Sequence, residues 1–517
     1  MPPIPVLSPD QSEEWDRQAE AAGLARATLM SAAGQAVASV VATRYGAAAV
    51  RGVLVAAGTG NNGGDGWVAA RALHRAGLAV WVASVPGERS GLCADAARLA
   101  TADGVREVPA DGPWPSVGLA IDALLGTGAR GAPRPPVAGL LERVADLAVP
   151  IVAIDGPTGL DLGTGVVHGA PAVALSITFG GARRGHLIAR DEVGDIVVAD
   201  IGHPPPVPGW PTLMTDAAAA AQLPRFQARF HKGNRGRIVI VGGAPGMVGA
   251  ARMAARAAFA AGAGLVHVAA PPDTVATLQA AEPDVQTLPQ SFDAAPTLEL
   301  ATLLERADAV ILGPGLGRDD ARHALVAAVI AASHAVVLDA DGLIAMQGRL
   351  DTLRALSAGR SLVLTPHPGE FRSLFPAQAG GVEVDPWAAA EAAAAEAGCT
   401  VLLKGVPTVI ASPGHSSVTV AAGNPGLASG GSGDLLSGII GALMGQGLDP
   451  HAAAATGAQA LGRGADIAAR RHTARSMRPV DVVAALPDLW REWEIITRSP
   501  RPPRPPVLLE LAAPEHV

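Results

Sequence analysis

The chain has 517 residues, of which 49% are hydrophobic and 17% charged, with a net charge of −8 at pH 7. That length calls for more than one hydrophobic core, and the composition excludes a disordered chain. The acidic balance, with no basic run, excludes a nucleic-acid surface.

Short apolar runs ending in glycine-rich turns recur in chain order at 53–58, 117–125, 151–155, 238–243, 309–315, 335–341 and 361–367. Each is near-continuously hydrophobic, as a parallel strand buried on both faces must be. Alanine-rich stretches of helical period lie among them, at 14–44, 67–77, 249–262 and 387–398. Alternating strands and helices predict α/β domains with ligands at the carboxyl ends of the strands. Proline-rich sequence near 203–225 marks a boundary. The predicted divisions are 1–215, 222–497 and a proline-rich tail, 498–517. Cys93 and Cys399 are far apart, no basic or apolar leader pattern opens the sequence, and Arg256 and His267 interrupt the apolar stretch 253–270. A cytoplasmic protein without a membrane span is expected.

The chain contains two lysines and four asparagines, all inside glycine-rich motifs. Nearly every other cation is arginine, so a compact ammonium or short amide kept at these places points to geometry that Arg or Gln cannot supply. The first such motif, G-T-G-N-N-G-G-D-G (58–66), follows a strand and opens a helix. Two adjacent amides and an aspartate exceed what a plain pyrophosphate loop needs. Asn62 offers a carbonyl oxygen of the kind potassium takes, and Asp122 and Thr158 offer others. Alone, each reads as a cap or turn residue; together, at three strand ends of one sheet, they converge on one crevice.

This motif, with D-A-L-L-G-T-G-A-R-G (122–131) and V-A-I-D-G-P-T-G (152–159), resembles the NAD(P)H-hydrate epimerase family. L-M-S-A-A-G (29–34) resembles that family's N-terminal helix, with Ser31 where an acidic residue is common; Thr158 stands where serine is usual. The resemblance implies substrate contacts from Asn61, Asn62, Gly63, Gly64, Asp65, Gly126, Thr127, Gly128, Ala129, Arg130, Gly131, Ala132 and Asp155. It implies a potassium ion on Asn62, Asp122 and Thr158, and Asp155 as the group that moves a proton or orients water.

In the second half, N-P-G-L-A-S-G-G-S-G-D (424–434) feeds a helix, a loop whose free N–H groups suit an anion. Asp434 in the first turn reads as an acid/base group beside that anion hole, or else as a helix cap. Lys404 follows an apolar strand, where it could meet a phosphate, and His367 lies between two prolines at a strand end. G-G-S-G-D with L-T-P-H-P-G-E-F (364–371) resembles the ribokinase-like superfamily. The fuller set is similar to the ADP- or ATP-dependent NAD(P)H-hydrate dehydratase family. It comprises 231–243, 246–266, 311–317, 337–343, 364–370, 402–405 and 424–434. That resemblance makes Asp434 the catalytic acid/base and puts the hydrate against Ala250, Gly315, Gly317, His367 and Asp434. It puts the adenine nucleotide, ADP or ATP with Mg2+, against Lys404, Gly405, Val406, Pro407, Thr408 and Gly433.

Together the resemblances imply a Rossmann-like three-layer domain followed by a ribokinase-like α/β domain. Their combined activity would be repair of hydrated NADH and NADPH, the first half supplying the epimer that the second consumes. The expected partners are these small molecules and copies of the same chain in a homo-oligomer. A ribokinase-type small-molecule kinase fused to a non-catalytic Rossmann-like domain would explain 424–434 but not N-N-G-G-D-G. A non-catalytic scaffold conflicts with intact Asp65, Asp122 and Asp155.

Overall fold

The computed structural model describes residues 3–319, 321–500 and 504–514. Two compact units emerge: Met1–Thr212 with Arg501–Ala513, and Leu213–Pro500 with Pro514–Val517.

The first unit is built on an eight-stranded sheet. Its order is Val507–Leu511, Asp195–Ala199, Leu175–Phe179, Ile151–Ile154, Leu119–Ala123, Val53–Ala57, Val80–Ser84 and Arg106–Val108. All neighbours are parallel except the Val507–Leu511 edge. Within Val53–Ala57 the side chains alternate: Val53, Val55 and Ala57 join one core, Leu54 and Ala56 another. Helices cover both faces, which is why every residue of this strand is buried and apolar. The single helix read across 14–44 is two helices, Pro9–Ala21 and Arg26–Ala49, broken where Gly23 takes φ +92°.

The tail expected over 498–517 is not simply extended coil. Residues 501–503 and 515–517 lie outside the described residues, but Val507–Leu511 pairs antiparallel with Asp195–Ala199. The Ala513 N–H donates to Asp195 Oδ1 at 2.7 Å, Arg190 Nη2 donates to the Ala512 carbonyl at 2.6 Å, and Arg44 pairs with Asp195. The strand covers backbone groups of Asp195–Ala199 that would otherwise form an open sheet edge. Deleting 504–517 is therefore expected to lower the melting temperature of the first unit and promote self-association. Calorimetry with light scattering on the shortened chain tests this; unchanged melting and a monodisperse sample would make the strand dispensable.

The second unit carries nine strands in the order Gln286–Pro289, Leu265–Ala270, Arg237–Val241, Ala309–Leu312, Ala335–Leu338, Ser361–Leu364, Thr400–Leu403, Thr408–Ala411 and Val418–Val420. The first seven are parallel; the last two add antiparallel. Helix Ser432–Gly445 is almost wholly buried and packs against Val248–Ala260. A Cβ on Gly438 would stand 2.3 Å from the Ala254 carbonyl oxygen, so only glycine permits this approach. Small side chains thus fill the core that 3% aromatics cannot. The alanine run in the boundary region is a helix, Asp216–Gln222, started by Thr215, whose hydroxyl accepts from the Ala218 N–H. Among the described residues no single helix is both long and apolar enough to cross a membrane.

Candidate functional sites

In the first unit N-N-G-G-D-G is not a loop: the helix Asn61–Arg75 begins at Asn61. Glycines at this position serve close approach, since a Cβ on Gly63 would stand 1.9 Å from the Gly58 carbonyl oxygen. The helix start faces a cavity of about 780 Å³ lined by Asn61, Asn62, Asp65, Gly126, Thr127, Gly128, Ala129, Arg130, Asp155 and Arg183, among others. Gly63 and Gly64 are buried beside it, while Gly131 and Ala132 are exposed and do not line it. Asn62 and Asp155 converge on Gly126, where a Cβ would lie 3.2 Å from Asn62 Oδ1 and 3.1 Å from Asp155 Oδ2.

Asp155 takes a left-handed backbone, φ +65°, a conformation short polar side chains tolerate best among non-glycines. Its Oδ2 accepts from the Thr127 N–H at 2.7 Å and from the Thr127 hydroxyl, and its Oδ1 pairs with Arg183 at 3.3 Å. Burial works to raise this carboxyl, but the Arg183 guanidinium and the Thr127 donors outweigh it, and the net direction is down. Asp65 goes the other way: burial first, then the Asp155 and Asp16 charges, hold its carboxyl well above the usual range. Burial takes His186 down to about 4, so it is neutral near pH 7, its Nδ1 accepting from the Arg183 N–H at 3.2 Å. The cavity is thus lined by one carboxyl held low and another held high, the kind of offset acid–base chemistry uses.

Asp122 is fully buried. It accepts from the Leu124 N–H at 3.1 Å, the Thr158 N–H at 2.7 Å and the Thr158 hydroxyl at 2.8 Å. Burial raises its carboxyl despite these donors. Thr158 Oγ1 in turn accepts from the Leu125 N–H at 3.0 Å, and Asn62 Nδ2 is buried without a hydrogen-bond partner.

In the second unit Asp434 lies in the first turn of Ser432–Gly445. Burial, with Asp339 and Asp341 adding and Lys404 opposing, pushes its carboxyl up to about 7. Lys404 Nζ donates to Asp339 Oδ1 at 3.0 Å and stands 3.9 Å from Glu370 Oε2. Burial works to lower the Lys404 ammonium, but these carboxylates raise it, so the cation persists. Asp339 Oδ2 accepts from the Ser437 hydroxyl at 2.5 Å. Gly433 borders the same cluster: a Cβ there would lie 3.4 Å from Lys404 Nζ. Gly405 and Val406 are exposed after Lys404, Val406 71% so, while Pro407 is buried and Thr408, which opens the strand Thr408–Ala411, donates its hydroxyl to the Gly405 carbonyl at 3.1 Å. His367 is exposed and caps the helix Pro368–Leu374 through Nδ1, while Glu370 accepts from the His367 N–H at 2.9 Å. Ala250 and Gly315 face each other, 3.3 Å from a Cβ built on the glycine, and the Gly317 N–H donates to Asp341 Oδ2 at 3.0 Å.

Asp339 and Asp341 were not singled out from the sequence, although V-L-D-A-D-G-L is conspicuous. Ala340 between them takes φ +48°, a strained turn that holds both carboxylates at the strand end. Arg183 was missed as well; only the fold brings it to Asp155. Two of the four asparagines hold local turns. Asn234 Oδ1 accepts from the His231 N–H at 3.1 Å, and Asn424 Oδ1 from the Gly426 N–H at 3.0 Å.

Residues 238–488 match the family described as NAD(P)H-hydrate dehydratase, and residues 26–185 match the YjeF-related protein N-terminus. The bifunctional NAD(P)H-hydrate repair enzyme Nnr of Escherichia coli is 36% identical over 498 residues, covering 94% of this chain and 93% of that relative. The same-named protein of Salinibacter ruber is 37% identical, covering 93% and 95%. A solved structure of the ADP/ATP-dependent NAD(P)H-hydrate dehydratase of Bacillus subtilis, co-crystallized with ATP/Mg2+, is 26% identical. It covers 54% of this chain and 97% of that one, with a TM-score of 0.49.

Proposed function

The chain belongs to the family of bifunctional NAD(P)H-hydrate repair enzymes, and from that premise we propose which groups of each unit do the work. Its Rossmann-like part is an epimerase of hydrated NADH and NADPH, and its ribokinase-like part is an ADP/ATP-dependent dehydratase. We assign the first activity to 1–215 and the second to 222–497.

In the epimerase, Asp65 is the acid and Asp155 the base. The ring C–O bond breaks as Asp65 protonates the departing hydroxyl, and the ring nitrogen's lone pair supports the cation. Water then adds to the opposite face and gives its proton to Asp155. Arg183 and Thr127 keep Asp155 ionised for that step.

The donor set beneath the cavity fits a potassium ion. Asp122 is a buried carboxylate whose donors Leu124 and Thr158 are neutral, and Asn62 and Thr158 add hard oxygens. Potassium there would neutralise Asp122 and firm the floor under Asn62. Replacing potassium with sodium or a bulky organic cation is expected to slow epimerisation and leave dehydration alone. Asp122→Asn should do the same, and cation-indifferent epimerisation would sink the assignment.

In the dehydratase, Asp434 takes the proton from the hydrate's hydroxyl as that oxygen attacks the terminal phosphoryl of the nucleotide. The bond to the bridging oxygen breaks and the nucleotide departs one phosphate shorter; the phosphorylated oxygen then leaves the ring as inorganic phosphate, a neighbouring ring-carbon proton passes to water, and the double bond closes. Lys404, held by Asp339 and Glu370, faces the transferred charge. Among the described residues no group of three or more His, Cys, Asp or Glu side chains is arranged for a metal ion. Mg2+ is expected to enter with the nucleotide phosphates, to which it binds in preference to all-protein cages.

The observation that carries this reading is Asp434 in the first turn of a glycine-rich helix start, its carboxyl pushed up to about 7 by burial, beside the half-buried Lys404 that Asp339 and Glu370 hold. An absorbance assay on hydrated NADH with ADP, ATP or neither tests it: the dihydronicotinamide band should return only with nucleotide. The kinase alternative would instead leave a stable phosphorylated product. Two buried free thiols, Cys93 and Cys399, support a cytoplasmic location. A homo-oligomer, for which exposed Phe226, Leu298 and Ile495 offer apolar surface, is tested by mass from light scattering.

A further inference from the structure

The strand order of the first unit makes a demand that the epimerase assignment does not use. From Val53–Ala57 the sheet runs one way through Val80–Ser84 to Arg106–Val108. From Leu119–Ala123 it runs the other way through Ile151–Ile154 to Leu175–Phe179. A dinucleotide lies across the crevice where the two directions part, with its phosphates at the first helix start. Asp155, which follows Ile151–Ile154, fixes the reacting ring on one side. The adenosine then falls on the other, by the end of Val80–Ser84. In sheets of this order, that strand end reads the ribose 2′ position, where a carboxylate takes a hydroxyl and an arginine takes a phosphate.

Here the strand ends in Ser84, and Val85 and Leu92 line the cavity. The Ser90 N–H donates to the carbonyl of Thr59, itself a lining residue, at 2.9 Å, tying this segment to the phosphate-facing turn. Between them stands Arg89. Its Nη2 donates to Ser84 Oγ at 2.8 Å and pairs with Glu107, and its guanidinium lies 5.2 Å from the centre of the Trp67 ring. Both hydrogen bonds fall on Nη2, so the planar fork is held in place with its remaining edge available to a second partner. A rim ion pair between two long side chains would by itself need neither the hydroxyl nor the ring. Arg89 is only 27% exposed.

We propose that Ser84 and Arg89 form a 2′-phosphate subsite through which the epimerase unit favours hydrated NADPH over hydrated NADH. Glu107 holds the guanidinium and competes with that phosphate. The proposal rests on the epimerase reading of the cavity.

The test compares kcat/KM for epimerisation of the two hydrates by the full chain and its variants. Arg89→Ala should lower the NADPH-to-NADH ratio roughly 10–100-fold, the usual worth of a charge-assisted hydrogen-bond pair. Glu107→Gln should raise the ratio by releasing the fork. Calorimetric titration with adenosine 2′,5′-bisphosphate should weaken in Arg89→Ala and tighten in Glu107→Gln, with 5′-AMP as the comparison. Ratios and bisphosphate affinities unmoved in both variants would overturn the subsite. If Arg89→Ala does not fold, Glu107→Gln and Ser84→Ala decide the matter by the same measurements. A wild-type chain that epimerises neither hydrate would instead sink the functional reading, and the bisphosphate titration would still decide the subsite.

Discussion

Asp434→Asn is expected to lower dehydration roughly 10²–10⁴-fold, the usual worth of a positioned acid–base group, while epimerisation continues. Asparagine keeps the shape and the helix start but cannot accept the hydroxyl proton. Because burial and Asp339 push the wild-type carboxyl up to about 7, kcat/KM for dehydration should rise with pH through about 7 and then level off. That limb should vanish in the variant. The stability of the second unit should move the opposite way. Folded, Asp434 holds its proton up to about 7; unfolded, it releases it in the ordinary carboxylate range. Between those limits the unfolded chain binds fewer protons, so stability falls as pH rises. Asp434→Asn removes that penalty, and at pH 8 it should melt at a higher temperature than wild type. Near-normal dehydration by the variant, or a lower melting temperature at pH 8, would remove Asp434 from the role.

Buried parallel strands were the most legible part of the sequence, because a strand covered on both faces admits only apolar residues. Val53–Ala57, Ile151–Ile154 and Ala309–Leu312 are such runs. The motif N-N-G-G-D-G was legible as opening a helix, but that the helix begins at Asn61, with its glycines inside it, was not: propensity disfavours glycine there, and close approach to Gly58 requires it at Gly63. Candidate site residues close in sequence were readable as motifs, as with Asn61 to Asp65. Partnerships across the fold were not. Nothing local to Arg183 points to Asp155, and nothing near Lys404 points to Asp339, 65 positions away. The closing strand Val507–Leu511 was hidden by the prolines that precede it, although its own residues suit a sheet edge.

Asp155→Asn is expected to lower epimerisation roughly 10²–10⁴-fold and to leave dehydration of the S epimer intact. Asparagine is the informative choice because it tolerates the φ of +65° at this position and keeps an acceptor oxygen for Thr127 and Arg183, whereas alanine would add backbone strain and leave the buried Arg183 with no acceptor there. With Asp155 held low and Asp65 held high, wild-type kcat/KM should be bell-shaped. It should fall on the acid side as Asp155 gains a proton, and on the side of higher pH as Asp65 loses one. The variant should lose the acid limb only. Its stability should change with the sign opposite to that of Asp434→Asn. A carboxyl whose folded value is depressed stabilises the fold above the ordinary carboxylate range, and that contribution is lost as pH falls through the folded value. Asp155→Asn should therefore melt below wild type at pH 7, with the gap narrowing toward acid. A variant that epimerises at the wild-type rate would hand the proton transfer to another group. One that is much slower but keeps both limbs would make Asp155 a positioning residue for the water, since the titrating base would then lie elsewhere.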